Sequence, residues 1–408
     1  MNILVVSSNF YPDVFAINDL VEKLVQRGHQ VTVFTGLPDY STSMIPEEYK
    51  HKRNRMQSYK GAKVIRVSTL PRRHGPVFRS LNYLSFWING EWYVKHKKWH
   101  MKYDVVYVWE VSPVTQLFPA IAFGKRFGIP VYVYCMDIWP ECVQAMGISN
   151  RSLLFKLIHC LSRKAYRSVD HIAISSQPFM KYLELVNGVD VKKISYLPQY
   201  GPQWMLEQNY YKAPNKIISF LYIGNIGKAT RLEVLIKAVA IVRKSLKAAA
   251  FNVVIAGNGT DRDNCKQLSE KLKLENVIQF IGIVPFEETG VLYKAADCCV
   301  FTLDGSNHIG DTLPGKVQTY MAAGKPIIAS CNGAGNEVIK ESHCGIAVRA
   351  NDEKALAEAL IRFISNPKDF SSCGNNARDY FQEHFLEEKH LVQLEDEIKN
   401  LVRNECKG

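Results

Sequence analysis

Short apolar runs alternate with amphipathic segments along almost the whole chain. Residues 3–6 are aliphatic and partly β-branched, the pattern of a strand buried on both faces. Ile17, Leu20, Val21, Leu24 and Val25 follow at helical spacing, Gly28 closes that helix, and residues 31–34 start the next strand. Runs at 64–67, 105–108, 131–134, 171–174 and 193–196 continue the series, with helical segments such as 113–126 and 152–166 between them. A Pro/Gly/aromatic break at 197–202 and a polar stretch reaching Asn215 interrupt the pattern. It then restarts, with strands at 218–223, 251–256, 277–281, 298–302, 326–329 and 345–348 and a helix over about 231–247. Strand–helix alternation of this kind predicts parallel sheets covered on both faces. The expected fold class is therefore α/β, two tandem Rossmann-like doubly wound domains facing across a cleft. Their expected extents are 1–198 and 199–385, with a charged helical segment at 386–408 that can pack back toward the first domain. Ligands in such sheets sit at the carboxyl ends of the strands, so the cleft is the expected site.

Charge changes this picture locally. The chain of 408 residues carries a formal net charge of +12. Between residues 50 and 102 there are fourteen Lys and Arg against one acid, Glu91, so the rest is nearly neutral. The same stretch is aromatic, with Leu81, Leu84, Trp87, Ile88 and Trp92 at about helical spacing and Lys95, Lys97 and Lys98 just after. One reading is a core helix with a solvated basic face. The other is the interface of an anionic membrane, met by Arg72, Arg73, Trp87, Trp92, Lys95, Lys97 and Lys98; the charge excess favours it. Nucleic acid is a third partner class for basic surfaces, but no recognised motif supports it. With 47% hydrophobic and 22% charged residues, a disordered chain is excluded. No apolar run reaches 18 residues, and the first strand is too short for a signal-peptide core, so a cytoplasmic protein is expected. The ten cysteines form no CxxC pair, which reads as reduced core residues and no metal centre.

Three segments carry candidate chemistry, each between a strand and a helix. Gly224, Asn225 and Gly227 form a Gly-rich turn, with Lys228 and Arg231 close by to neutralise a diphosphate; a plain tight turn is the alternative. Gly257 and Asn258 begin a second turn, for which the structural reading is the stronger. The third runs from His308 through Thr312, Leu313, Pro314, Lys316 and Val317 to Lys325. Its Pro and Gly bracket a helix whose N-terminus, with Thr312 and Lys316, suits an anion.

These motifs together resemble retaining GT-B glycosyltransferases of glycosyltransferase family 4. The segment Ala322-Ala323-Gly324-Lys325-Pro326-Ile327 is similar to that family's donor-site segment, and Arg27-Gly28-His29 to its second-strand signature. Asp137-Ile138-Trp139-Pro140-Glu141 resembles a bacterial surface-polysaccharide branch that includes N-acetylamino-sugar transferases. The resemblance spans nearly the whole chain. It implies transfer of a hexosyl group from a nucleotide sugar, UDP-linked as the leading expectation, to a polyprenyl-diphosphate-linked saccharide. The reaction would need no metal or cofactor and would take place at the inner face of the cytoplasmic membrane. It places Asp137, with Glu141 assisting, near the reacting sugar, and puts Asp311 and Thr319 where the family usually has two glutamates. Asp311 can still accept hydrogen bonds from sugar hydroxyls; Thr319 lacks the carboxylate that usually meets the ribose. Asn225 and Thr230 stand where a diphosphate-clamping Arg and Lys are common, leaving Lys228, Arg231 and Lys316 as substitutes. His308 would contact donor phosphate or sugar, and Asp13 and Asn18 would face the acceptor. Helix capping is the alternative for Asp137 and Asn18. Competing functions are a GT-B UDP-sugar epimerase, a non-catalytic nucleotide-sugar-binding subunit and, least favoured, an RNA-binding protein.

Overall fold

The computed structural model describes all residues except 74, 147, 214–215, 248–249, 307 and 406–408. The end of the expected polar break and the end of the expected C-terminal segment thus lie outside the described residues. The chain divides into two compact units, Met1–Leu197 with Gln393–Gly408, and Pro198–Val392.

The first unit is built on an eight-stranded sheet. Its strands are β1 (Asn2–Val6), β2 (Gln30–Thr35), β3 (Met56–Tyr59), β4 (Ala62–Arg66), β5 (Val105–Glu110), β6 (Val131–Cys135), β7 (His171–Ile174) and β8 (Ile194–Tyr196), in the order β3-β4-β2-β1-β5-β6-β7-β8. All pairings are parallel except β3 with β4. That hairpin was not expected: Met56-Gln57-Ser58-Tyr59 is polar and sits at an edge, so no apolar run announces it. Every residue of β5 and β6 is buried, which is why both read as continuous apolar runs. Helices α1 (Ala16–Gln26), α2 (Pro76–His96), α3 (Leu117–Phe127), α4 (Leu153–Arg167) and α5 (Pro178–Tyr182) accompany the sheet. Ser152 caps α4 by accepting from the Phe155 amide at 3.1 Å. The Trp99 ring lies in an aromatic cluster, 4.7 Å from Phe123 and 5.7 Å from Phe34.

The second unit has a six-stranded parallel sheet. Strands β9 (Ile218–Ile223), β10 (Phe251–Ala256), β11 (Ile278–Gly282), β12 (Cys298–Thr302), β13 (Ile327–Ser330) and β14 (Gly345–Val348) run in the order β11-β10-β9-β12-β13-β14. Helices α6 (Leu232–Ser245), α7 (Arg262–Lys271), α8 (Thr289–Ala295), α9 (Gly315–Ala322), α10 (Gly333–Glu341), α11 (Glu353–Ser365) and α12 (Cys373–His384) complete it. Helix α13 (Glu387–Glu405) starts here, and from Gln393 onward it belongs to the first unit. There Glu395 pairs with Arg27 at 2.7 Å and His29 at 3.0 Å, and Glu397 accepts from Tyr132 at 2.6 Å and Ser195 at 2.9 Å. The Arg27 guanidinium and the His29 ring hold the Glu395 carboxyl down at about 2.

Strand order fixes where each sheet opens for a ligand. It reverses direction between β1 and β5 in the first unit and between β9 and β12 in the second.

Candidate functional site

At the second unit's switch point, β9 ends in the Gly224–Gly227 turn. Gly224 has φ +147°, and its nitrogen donates to the Ala256 carbonyl at 3.0 Å. Gly257 packs so tightly behind it that a Cβ would collide with the Gly224 carbonyl. Asn258 takes the Ile226 amide on its carbonyl at 2.9 Å and accepts the Gly259 amide on its side chain at 2.9 Å. Gly257 and Asn258 therefore buttress the first turn, the structural alternative for that pair.

Tyr222, the next-to-last residue of β9, donates its hydroxyl to the Asn225 carbonyl at 2.7 Å. The Lys316 ammonium, from the first turn of α9, donates to that hydroxyl at 3.0 Å and stands 4.1 Å from the ring centroid. It also faces Gly224: a Cβ there would come within 3.1 Å of Nζ. Desolvation pulls Lys316 down to about 7, so an anion that neutralises it would also restore its proton. From the same helix, the Tyr320 hydroxyl accepts the Ile223 amide at 2.9 Å and so ties α9 to the end of β9. Neither tyrosine was expected at the site. Both read as strand or helix core in sequence; the Tyr222 hydroxyl reaches back to its own turn, and Tyr320 comes to it from nearly a hundred residues away.

The other expected donor residues fall into distinct places. Lys228 is exposed in the short turn Lys228–Thr230. Arg231 pairs with Glu233 at 2.8 Å, and Thr302, which ends β12, and Asp304, just past it, bond the carbonyls of Thr230 and Ala229. His308 is paired with Asp311 at 2.6 Å. Thr312 is half-buried and Pro314 is the residue preceding α9. Thr319 donates to the Gly315 carbonyl at 3.2 Å within its own helix. Val317, expected at the donor, is instead a buried core residue because α9 needs an apolar face against the sheet, and Leu313, also expected there and just before that helix, is buried in the same core. Lys325 sits at the amino end of β13, its ammonium taken by the Tyr210 and Ala296 carbonyls at 2.6 and 2.7 Å.

The first unit has a pocket of about 180 Å³ at its own switch point. The ends of β1 and β5 contribute Ser7, Ser8, Asn9 and Ser112, and Arg72 and Asp137 are among its other polar lining residues. Asp137 accepts from the Ser112 hydroxyl at 2.9 Å, and the Trp139 indole donates to the same hydroxyl at 3.1 Å. Among the described residues its carboxylate bonds no backbone amide of the following turn, so the capping alternative is not what the structure shows. Burial raises Asp137 to about 6, against the lowering effect of Ser112. Behind it Glu110 is fully buried, with one carboxyl oxygen unbonded. Desolvation and the Asp137 charge push Glu110 well above the usual carboxylate range. Sequence reasoning missed Glu110, because one acid ending an apolar strand has no periodic signature.

Several first-unit expectations are corrected. Glu141 spends its carboxylate on the Tyr182 hydroxyl at 2.6 Å and the Gln144 amide, and it does not line the pocket. Asp13 is buried and accepts the amides of Asp39, Tyr40 and Ser41, leaving no oxygen for an acceptor sugar. Asn18 is buried too and donates to the Asp13 carbonyl at 2.8 Å. Of the residues expected to face a membrane, Arg72 instead lines the pocket, and Trp87 stacks on Phe118 at 4.3 Å with its indole bonded to Glu91. Arg73, Trp92, Lys95, Lys97 and Lys98 are exposed. Charge is summed along the sequence, but a helix turns these side chains to different faces. Among the described residues no helix is long and apolar enough to cross a membrane, and no three His, Cys, Asp or Glu side chains gather as a metal site would need.

Two Rossmann-like sheets, each with a candidate ligand site at its switch point, define a two-domain α/β protein of the GT-B fold. Residues 15–199 match the family described as glycosyl transferase 4-like domain, and residues 207–380 the family described as glycosyl transferases group 1. The two matches follow one another along the chain and together span most of it. A putative colanic acid biosynthesis glycosyl transferase of Escherichia coli is 23% identical over 98% of this chain and all of that protein. An uncharacterized glycosyltransferase of Methanocaldococcus jannaschii is 27% identical over 53% of this chain; the match spans about half that relative's length. Among solved structures, the fold is shared with sucrose-phosphate synthase from Thermosynechococcus elongatus at a TM-score of 0.77, 17% identity and 99% coverage of both chains. It is shared also with Anabaena HepE in complex with UDP, at 0.69, 13% identity and coverage of 98% and 99%.

Proposed function

We propose that the protein is a retaining hexosyltransferase. In this reading it moves a sugar, with an N-acetylated amino sugar as the leading candidate, from a UDP-sugar to a polyprenyl-diphosphate-linked saccharide. The setting is assembly of a surface polysaccharide of capsule or O-antigen type, with the protein held peripherally at the inner face of the cytoplasmic membrane and no metal or cofactor required. The observation that carries it is the desolvated Lys316 ammonium against Tyr222 and Gly224 at the second unit's switch point. The matched family domains, the name of the E. coli relative and the UDP bound by HepE support the donor class.

The chemistry follows from charge. The bond from the sugar C1 to the donor's diphosphate oxygen breaks, a bond from the acceptor oxygen to C1 forms, and the acceptor proton passes to the departing diphosphate. The Lys316 ammonium, beside the turn at Gly224, opposes the charge that builds on the departing diphosphate. Asp137, ionised above about 6, orients the acceptor hydroxyl and stabilises positive character on the sugar. A thermal-shift panel of UDP, GDP, ADP and their sugars tests this. UDP and one UDP-sugar should raise the melting temperature, and Lys316→Ala should abolish the shift. No shift with any nucleotide would overturn the reading. A UDP-sugar that epimerises without acceptor would favour the epimerase instead.

A further inference from the structure

On the first unit, α2 and α4 enclose a second groove of about 200 Å³, and its lining is apolar. Leu84 comes from α2, Leu154, Leu157 and Leu161 from α4, and Trp139 and Val114 lie between. Apolar side chains continue beyond it. Val77, Leu81, Ile88 and Trp92 form an exposed stripe along α2, and Leu153 on α4 is 84% exposed. A helix of a soluble protein normally turns such a stripe inward. The flanks are basic: α4 contains no acid and exposes Lys156, Arg163, Lys164 and Arg167, and α2 has Glu91 alone.

The groove shares a wall with the polar pocket. Trp139 lines the groove while its indole donates to Ser112, which donates to Asp137 in the pocket. Arg72 bridges the same divide. It lines the pocket, where its guanidinium lies 4.3 Å from the Tyr40 ring, and it stands 5.9 Å from the ring of Tyr83, a groove residue. An apolar seat, a cation at its edge and a hydroxyl–carboxylate pocket beyond match, in order, the parts of a lipid diphosphate that carries a sugar. Hydrocarbon burial drives the first contact and charge complementarity the second.

We propose that the groove between α2 and α4 seats the hydrocarbon chain of a lipid-diphosphate acceptor, with the diphosphate at Arg72 and the sugar end in the Ser112–Asp137 pocket. This rests on the transferase reading with a lipid-linked acceptor, but its test is separate. Farnesyl diphosphate is the probe and inorganic pyrophosphate the control, titrated by calorimetry into the full chain. Farnesyl diphosphate should bind at least tenfold more tightly than pyrophosphate. Leu157→Glu should erase that advantage, and because Leu157 is 58% exposed the variant should keep its melting temperature. Leu154→Ala should weaken chain binding severalfold without introducing a charge. Arg72→Ala should weaken farnesyl diphosphate about tenfold. Equal binding of the two probes, or farnesyl binding unchanged in Leu157→Glu, would overturn the proposal. So would attachment to phosphatidylglycerol vesicles that farnesyl diphosphate does not compete with, because the surface would then be a bilayer contact only. UDP affinity measured on the same proteins separates the two ideas: lost UDP binding in the wild type sinks the donor reading, and lost farnesyl binding sinks this one.

Discussion

The two units place their chemistry at the same point of the same topology, yet they deliver opposite charges there. In the first, the strand order reverses between β1 and β5, and a carboxyl waits at the strand ends: Asp137, held by Ser112. In the second, it reverses between β9 and β12, and an ammonium waits: Lys316, held by Tyr222. One cause, desolvation, moves both. It raises the acid to about 6 and lowers the base to about 7. Topology therefore decides where a ligand goes, and the few residues just past the strands decide what it is. A backbone cradle of glycines beside a lysine suits a diphosphate. A half-buried carboxyl beside serines and Arg72 suits a hydroxyl and its neighbouring charge.

The most severe way to break this comparison is Asp137→Asn. Turnover should fall about 100- to 1,000-fold, the range expected for a positioned acid–base group, while UDP affinity stays within twofold. Next is Lys316→Ala, which should weaken UDP about 30-fold by calorimetry and leave farnesyl diphosphate binding as it was. The two shifts also predict a narrow pH window. Asp137 gains its charge as pH rises through about 6, and unliganded Lys316 loses its charge as pH rises through about 7, so kcat/KM for the donor should peak between them. Ser112→Ala should cost about tenfold in turnover and move the acid limb to higher pH, because the bond that lowers Asp137 is gone. A merely structural serine would change the rate without moving that limb. The smallest effect belongs to Glu141→Gln, which should change turnover no more than about threefold and lower the melting temperature by a few degrees, since its carboxylate serves Tyr182.

Much of the fold was legible because parallel strands are buried on both faces. The runs that become β1, β5, β6 and β12 are apolar over four or five consecutive residues and have few alternatives. The edge strand β3 was not legible, since half of its residues meet water. At the site, the Gly224–Gly227 turn and Lys316 were readable from the order of strand, turn and helix. Tyr222 and Tyr320 were not, because an aromatic residue in a strand or helix predicts burial and says nothing about where its hydroxyl ends. Arg72 was misplaced for a related reason. It belongs to a dense run of cations, but the Asp39 carboxylate takes its backbone amide at 2.8 Å, which fixes that segment beside the pocket. Asp13 shows the converse error: an acid after β1 looks available until three consecutive amides claim it.

In the proposed transferase, Lys316 of the second unit receives the donor diphosphate and regains its proton in doing so. Calorimetric titration of UDP at pH 8 in two buffers of different ionisation enthalpy tests it directly. About one proton should be taken up per UDP bound, and Lys316→Ala should abolish the uptake together with most of the affinity. Binding with no proton uptake, at an affinity unchanged in the variant, would contradict the account.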